Sequence, residues 1–104
     1  MRNYEIMILL DSSLQEEEIS ALIEKVQQTI TTSQGKIIKV NQWGKRELAY
    51  EIKGHNEAIY VVIDFELEPE NIANIERNIK FDEKIIRYLI VLGQEKIIPV
   101  KEQV

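Results

Sequence analysis

The residues with the most chemical potential lie together in one stretch, WGKRELAYEIK, at positions 43–53. This stretch combines three cations with two aromatic rings: Lys45, Arg46, Lys53, Trp43 and Tyr50. Cations can contact phosphates and rings can stack on bases, so the combination could bind RNA. The same residues could instead protect the edge of a sheet, where charge discourages pairing with other chains. From these residues alone, the two interpretations stand about equally.

Residues typical of catalysis or metal binding are sparse. His55 is the one histidine; it falls in a predicted turn, with no serine-histidine-acid set around it. The acidic run Glu16 to Glu18 suits the first turn of a helix, where carboxylates interact well with the dipole. There is no cysteine, and no glycine-rich phosphate loop or dinucleotide fingerprint is found. The sequence therefore predicts a protein that is not an enzyme and needs no metal, cofactor or small-molecule substrate.

Charge is sorted into blocks along the chain. The formal net charge is −5, which argues against a self-sufficient nucleic-acid binder because cations supply most non-specific affinity. Residues 11–24 and 57–76 carry acids and no base, whereas bases outnumber acids in residues 36–53 and 77–101. The two basic blocks are therefore the places where RNA could be contacted locally.

The totals predict one soluble domain. With 104 residues, 44% hydrophobic and 30% charged, the chain is long enough to bury a core. The longest apolar run, residues 6–10, is too short to span a bilayer, and no signal peptide opens the sequence. The absence of cysteine fits a reducing compartment, so we expect a cytoplasmic protein without membrane contact.

Hydrophobic periodicity predicts six elements, in the order strand 4–10, helix ending at Gly35, strand 36–52, strand 58–67, helix from Pro69 and strand 84–92. Ser13 and Glu16 match a capping box, and Gly35 is typical of a left-handed helix C-cap. Gly44 suggests a bulge in the second strand. A turn is predicted at residues 54–56.

This β-α-β-β-α-β order predicts an α+β, ferredoxin-like split βαβ fold. Its four-stranded antiparallel sheet has the first and third strands central and both helices on one face. We expect residues 1–93 to form this domain and residues 94–104 a C-terminal tail. Simple alternation places an apolar set on the open face, beside Arg87: Met7, Leu9, Tyr60, Val62, Leu89 and Val91. Such a patch is typical of a binding surface, although oligomerisation or cover by the tail would also explain it.

Four segments together resemble the bacterial small-subunit (30S) ribosomal protein six family. The most specific is Gly44-Lys45-Arg46-Glu47-Leu48-Ala49-Tyr50-Glu51-Ile52, which carries that family's Leu-Ala-Tyr-x-Ile signature behind a glycine and a base. The other three are the opening Met1-Arg2-Asn3-Tyr4-Glu5, the pair Pro69-Glu70 and the run Lys84-Ile85-Ile86-Arg87-Tyr88. The similarity is collinear over the chain as far as Gly93.

The resemblance implies a structural constituent of the small ribosomal subunit that binds the central domain of 16S ribosomal RNA. It implies a heterodimer with the basic small-subunit protein eighteen, formed on RNA that protein fifteen has organised. A basic partner would offset the net acidity of this chain. The implied RNA contacts are Arg2, Tyr4, Lys45, Arg46, Tyr50 and Arg87. The implied partner contacts are the six apolar open-face residues together with Ile97 and Ile98 of the tail.

Two alternatives share the predicted topology. One is a regulatory module that buries a small molecule between paired domains and acts as a homodimer. The other is an acylphosphatase-like enzyme, which needs a phosphate-cradling loop with an arginine after the first strand. The sequence there reads Asp11-Ser12-Ser13, so this alternative ranks last.

Overall fold

The structure is a computed structural model that describes residues 1–93, so the predicted tail contacts Ile97 and Ile98 lie outside it. Its elements are β1 (Arg2–Asp11), α1 (Glu16–Thr32), β2 (Lys36–Ile52), β3 (His55–Leu67), a 3-10 turn (Pro69–Asn71), α2 (Ile72–Ile79) and β4 (Ile85–Leu92). The antiparallel sheet has the order β2-β3-β1-β4. The predicted ferredoxin-like topology, with the first and third strands central, is confirmed.

The main core lies between the sheet and the two helices. The buried sheet residues of this core alternate along the two central strands: Ile6, Ile8, Leu10, Ile59, Val61, Ile63, Phe65 and Leu67. Four positions of α1 at helical spacing face them: Leu22, Ile23, Val26 and Ile30. Each such side chain contributes about 1.5–3 kcal/mol when it leaves water, which is why the alternation fixes the register.

The start of α1 differs from the prediction. The Asp11 Oδ1 atom accepts hydrogen bonds from the Ser13 amide at 3.0 Å and from the Ser13 hydroxyl at 2.8 Å. The helix begins two residues later, where Glu18 Oε1 accepts from the Gln15 amide at 2.9 Å. The predicted capping box of Ser13 and Glu16 is therefore wrong, since a nearer acceptor holds the serine.

The end of α1 lies where it was predicted, but a different residue is left-handed. The Gly35 amide donates to Ile30 O at 2.9 Å and the Gln34 amide donates to Thr31 O at 3.0 Å, which is a Schellman motif. Gln34 has the positive φ of 67°. Glycine at 35 is required by close approach, because a Cβ there would lie 2.8 Å from Glu66 O.

The hairpin of β2 and β3 is longer than predicted. A register shift between Gln42 and Gly44, where Gly44 has φ 82°, confirms the expected bulge. The turn consists of Lys53 and Gly54, both with positive φ, as in the tight turns that match strand twist. It therefore comes one residue before the predicted one, and His55 already belongs to β3.

The second crossover is compact. Pro69 begins a short 3-10 turn, and α2 follows it from Ile72, so the proline opens the helical segment as predicted. Ile75 and Ile79 are buried against the sheet. The Asn71 side chain donates to Ser33 O at 2.9 Å, which joins this crossover to the end of α1.

Candidate nucleic-acid and protein interface

One end of the open face is covered by the chain itself. Side chains of β2 pack over a second buried cluster on this face, which we call the sealed end: Leu9, Ile52, Ala58, Tyr60 and Ile86 beneath Trp43 and Leu48. Leu9 and Tyr60 therefore lie on the predicted face, but they are buried and are not part of an exposed patch. Val62 is buried as well, between Met7 and Asn41 in register.

The physical reason for this cover is the bulge in β2. Gln42 pairs with Val61 and Gly44 pairs with Tyr60, so Trp43 is the extra residue. Its ring stacks on the ring of Tyr60, with the centroids 6.3 Å apart and 19° between the planes. Burial raises the pKa of the Tyr60 hydroxyl. Trp43 thus serves the packing of the sheet margin, in line with the edge-protection interpretation for this residue.

None of the predicted RNA-contacting cations Lys45, Arg46 and Arg87 forms a buried ion pair within residues 1–93. Lys45 Nζ lies 4.0 Å from Glu57 Oε1, but both side chains are about half exposed, so water screens this pair. Arg46 lies beside Tyr60, and its buried Nε has no hydrogen-bond partner among the described residues. Arg87 is exposed on β4, next to Leu9 in register, and forms no ion pair within residues 1–93.

Tyr50 and Arg87 both line a groove next to the sealed end. The groove has a volume of about 230 Å³ and is lined by the end of β2, by β1 and by β4: Met7, Leu9, Leu48, Ala49, Tyr50, Ile52, Arg87, Tyr88 and Leu89. Tyr50 is 64% exposed and Leu89 is 47% exposed, so both project into solvent. The groove therefore offers an apolar floor with a cation and a free aromatic ring at its rim.

The opposite end of the open face is acidic, a feature that the sequence analysis missed. Glu5 and Asp64 stand opposite each other on β1 and β3. They line a wider groove of about 630 Å³ together with Asn3, Asn41 and Lys39, among others, and Lys39 pairs with Asp64 in register. We call the set Asn3, Glu5 and Asp64 the acidic end. The signal was present, since both acids interrupt the apolar alternation at open-face positions.

Two predicted RNA contacts lie apart from the others. Tyr4 is on the helix-covered face, where its ring stacks on Phe65 at a centroid distance of 5.7 Å. Arg2 is exposed at the start of β1. Since Tyr4 pairs with Leu92 and Leu9 pairs with Arg87, Tyr4 lies about 17 Å along the strand from Arg87 at roughly 3.4 Å per residue.

Residues 1–93 contain neither a cluster of metal-ligating side chains nor a membrane-spanning helix. No group of three or more histidine, aspartate or glutamate side chains is arranged to hold a metal ion there. No helix in this part of the chain has the length and apolarity to cross a membrane.

The element order and the sheet define a ferredoxin-like module with one sheet face free of helices. The family model for ribosomal protein S6 matches residues 3–92, which is most of the chain. The chain therefore belongs to the ribosomal protein S6 family, and it is a structural, non-enzymatic component of the small subunit of the cytoplasmic ribosome.

Individual relatives agree with this assignment. The chain is 38% identical over 91 residues to small ribosomal subunit protein bS6 of Desulforamulus reducens, covering 88% of this chain and 96% of the relative. It is 42% identical over 87 residues to bS6 of Cutibacterium acnes, covering 84% and 91% respectively.

Solved structures show the same fold. The crystal structure of 30S ribosomal protein S6 from Thermotoga maritima superposes with a TM-score of 0.85 at 36% identity, covering 89% of this chain and 88% of that one. The C-terminal domain of the MgtC protein from Mycobacterium tuberculosis gives a TM-score of 0.62 over the same shares of the two chains. At 6% identity, this second likeness concerns the fold alone.

Proposed function

We propose that this chain binds the central domain of 16S ribosomal RNA as a heterodimer with the basic small-subunit protein eighteen. The observation that carries the RNA proposal is the placement of Tyr50 and Arg87 at the rim of one apolar groove, with Arg46 nearby. Cations that are not locked by internal carboxylates can contact phosphates, and an exposed ring can stack on a base or sugar.

The proposed RNA contacts divide into two groups. Lys45, Arg46, Tyr50 and Arg87 form the main group, with the bases on phosphate and the tyrosine on a nucleotide. Arg2 and Tyr4 form a second group at the far end of β1. Because the Tyr4 ring stacks on Phe65 and is partly buried, we propose that only its exposed edge touches RNA.

The proposed protein contacts lie on what remains accessible of the open face. Met7, Leu89 and Val91 are only partly buried or exposed and offer apolar area. This area adjoins three buried residues of the same face, Leu9, Tyr60 and Val62. We propose that the tail residues Ile97 and Ile98 extend it. The net acidity of the chain favours a partner that carries positive charge, and such a partner would neutralise phosphates that a chain of net charge −5 cannot.

The RNA proposal is tested with the double variant Arg46→Ala and Arg87→Ala. Binding to a junction fragment of 16S RNA would be measured over a salt series, with proteins fifteen and eighteen present. Each lost phosphate contact removes roughly 0.7–0.9 from the slope of log affinity against log salt. We therefore expect a slope shallower by roughly 1.4–1.8, with weaker binding at every salt concentration.

The matched control is the double variant Arg77→Ala and Lys80→Ala, which removes the same charge from exposed positions at α2. It should leave the slope nearly unchanged. Equal slopes for the two double variants would refute the assignment of Arg46 and Arg87.

The partner proposal is tested by omission. The isolated chain should bind the RNA junction poorly, and addition of the basic protein eighteen should raise its affinity by at least tenfold. Tight and specific binding by the acidic chain alone would contradict the heterodimer.

A further inference from the structure

The two outer strands of the sheet are protected very differently. The ladder between β2 and β3 is interrupted by three register shifts, and β2 carries charges along its length. Both features discourage the addition of another strand. In contrast, β4 pairs with β1 in regular register from Arg87 to Leu92, and Arg87 is its one charged residue. The outer edge of β4 is therefore the one that could accept a strand.

Hydrogen bonding shows which backbone groups of β4 point outward. The Gly93 amide donates to Asn3 O at 2.8 Å, so this pair is hydrogen bonded. In an antiparallel ladder, hydrogen-bonded pairs recur at every second residue. The amides and carbonyls of Val91, Leu89 and Arg87 thus face β1, and those of Tyr88, Ile90 and Leu92 face away from the sheet. Within residues 1–93, β1 is the only strand that pairs with β4.

The side chains beside this edge are apolar on both faces. Leu89 is 47% exposed on the open face, and Val91 lies next to it. On the other face, Tyr88 and Ile90 are partly buried against the main core, and the Tyr88 hydroxyl donates to Glu76 Oε2 at 3.2 Å. An added strand would therefore find apolar neighbours above and below its backbone.

We propose that the outer edge of β4 binds an extended, mainly apolar segment of a basic protein partner by backbone pairing at Tyr88, Ile90 and Leu92. Such pairing would satisfy the outward amides and carbonyls, as in other cases of strand addition. A second copy of this chain fits less well, since two molecules of charge −5 repel each other. The basic character of the partner rests on the proposed function, whereas the unpaired outer edge of β4 is argued from its hydrogen bonding alone.

The test is amide hydrogen exchange, followed by NMR on the full chain. The probe is the basic small-subunit protein eighteen. In the free chain, exchange should be fast at Tyr88, Ile90 and Leu92 and slow at Leu89 and Val91, which serve as internal controls. On saturation with the probe, the three outward amides should slow by at least tenfold, with little change at the two controls.

The other outcomes overturn the proposal in distinct ways. Slow exchange of the outward amides in the free chain at every concentration would mean that residues 94–104 already occupy the edge. Slowing that depends on the concentration of the free chain would identify a second copy as the occupant. If the probe binds and the outward amides stay fast, the edge is not its site. If the probe fails to bind at all, it is the proposed heterodimer that fails.

A variant provides a second test. Ile90→Pro removes an outward amide and leaves the hydrogen bonds to β1 in place, a position that edge strands tolerate. A cooperative melting transition would verify its fold. We expect affinity for protein eighteen to fall at least tenfold, and unchanged affinity in the folded variant would refute the pairing.

Discussion

The two ends of the open sheet face share one alternation pattern and have opposite properties. At the sealed end, side chains from the bulged part of β2 cover Leu9 and Tyr60, and Arg87 stands at the rim of the adjoining groove. At the acidic end, Glu5 and Asp64 face each other beside a wider groove. The difference teaches that alternation selects the face of a residue, whereas a neighbouring strand decides whether that residue meets solvent.

The largest expected effect tests the sealed end as a second core. Tyr60→Ala should lower the free energy of unfolding by about 3–5 kcal/mol, because it removes a fully buried ring and the stacking partner of Trp43. Urea denaturation measures the change. Tyr60→Phe is the matched control and should cost about 0–1 kcal/mol, since the buried hydroxyl has no hydrogen-bond partner among the described residues. Equal losses for both variants would show that the hydroxyl, and not the ring, matters.

The next effect concerns the rim of the sealed end. Tyr50→Ala should weaken binding to the RNA junction by about 1–2 kcal/mol, since base stacking on an exposed ring has this value. Phe81→Ala is the matched control, because Phe81 is 81% exposed in the loop after α2, away from the groove. Filter binding with the partner present measures both. A comparable loss for Phe81→Ala would remove the distinction that places RNA at the sealed end.

A smaller effect is expected at the acidic end. Asp64→Asn removes a carboxylate that stands between Glu5 on β1 and Lys39 on β2, so a like-charge pair and an opposite-charge pair are lost together. We expect the two losses to offset each other to within about 0.5 kcal/mol in the free energy of unfolding, and we expect the affinity for the basic partner to fall. Glu66→Gln, one open-face position further along β3, is the control. Stronger partner binding by Asp64→Asn would show that the acidic end does not attract cations.

The smallest effect is a pH dependence at the boundary of the sealed end, where Asp11 pairs with Ala58. The hydrogen bond from the Ser13 amide lowers the pKa of Asp11 below its ordinary value of 3.8. A lowered pKa in the folded state adds stability above pH 3.8, and this stability is lost as the pH falls through the folded value. The wild type should therefore exceed Asp11→Asn in stability by more at pH 7 than at pH 2.5. An equal difference at both pH values would contradict this role.

The sequence was sufficient for the topology, because each element has a clear period and the strand order follows from short connections. The bulge at Gly44 was also predictable, since glycine marked it. The packing of Trp43 over Tyr60 was not predictable, because the alternation of side chains cannot be extended across a bulge. Local competition explains the errors at α1, where Asp11 holds Ser13 and Gln34 takes the left-handed conformation expected at Gly35.

Among the candidate site residues, Arg87 on the open face follows directly from strand parity. The presence of Tyr50 and Arg87 in one groove does not follow from parity, because it depends on how far the hairpin of β2 and β3 reaches over the sheet. The parity of Tyr4 with Ile6 and Ile8 predicts its place on the helix-covered face beside Phe65, whereas its role in RNA binding comes from the family resemblance alone.

The position of β1 between β3 and β4 has a consequence for synthesis on the ribosome. This central strand is synthesised before the other described strands, and its outer partner β4 ends at Leu92, about 80 residues later. At about 5–20 residues per second, the nascent strand waits on the order of 4 to 16 s for both neighbours. During that interval one edge of β1 has no partner from β4, so the sheet closes only after nearly all of the described chain has been synthesised.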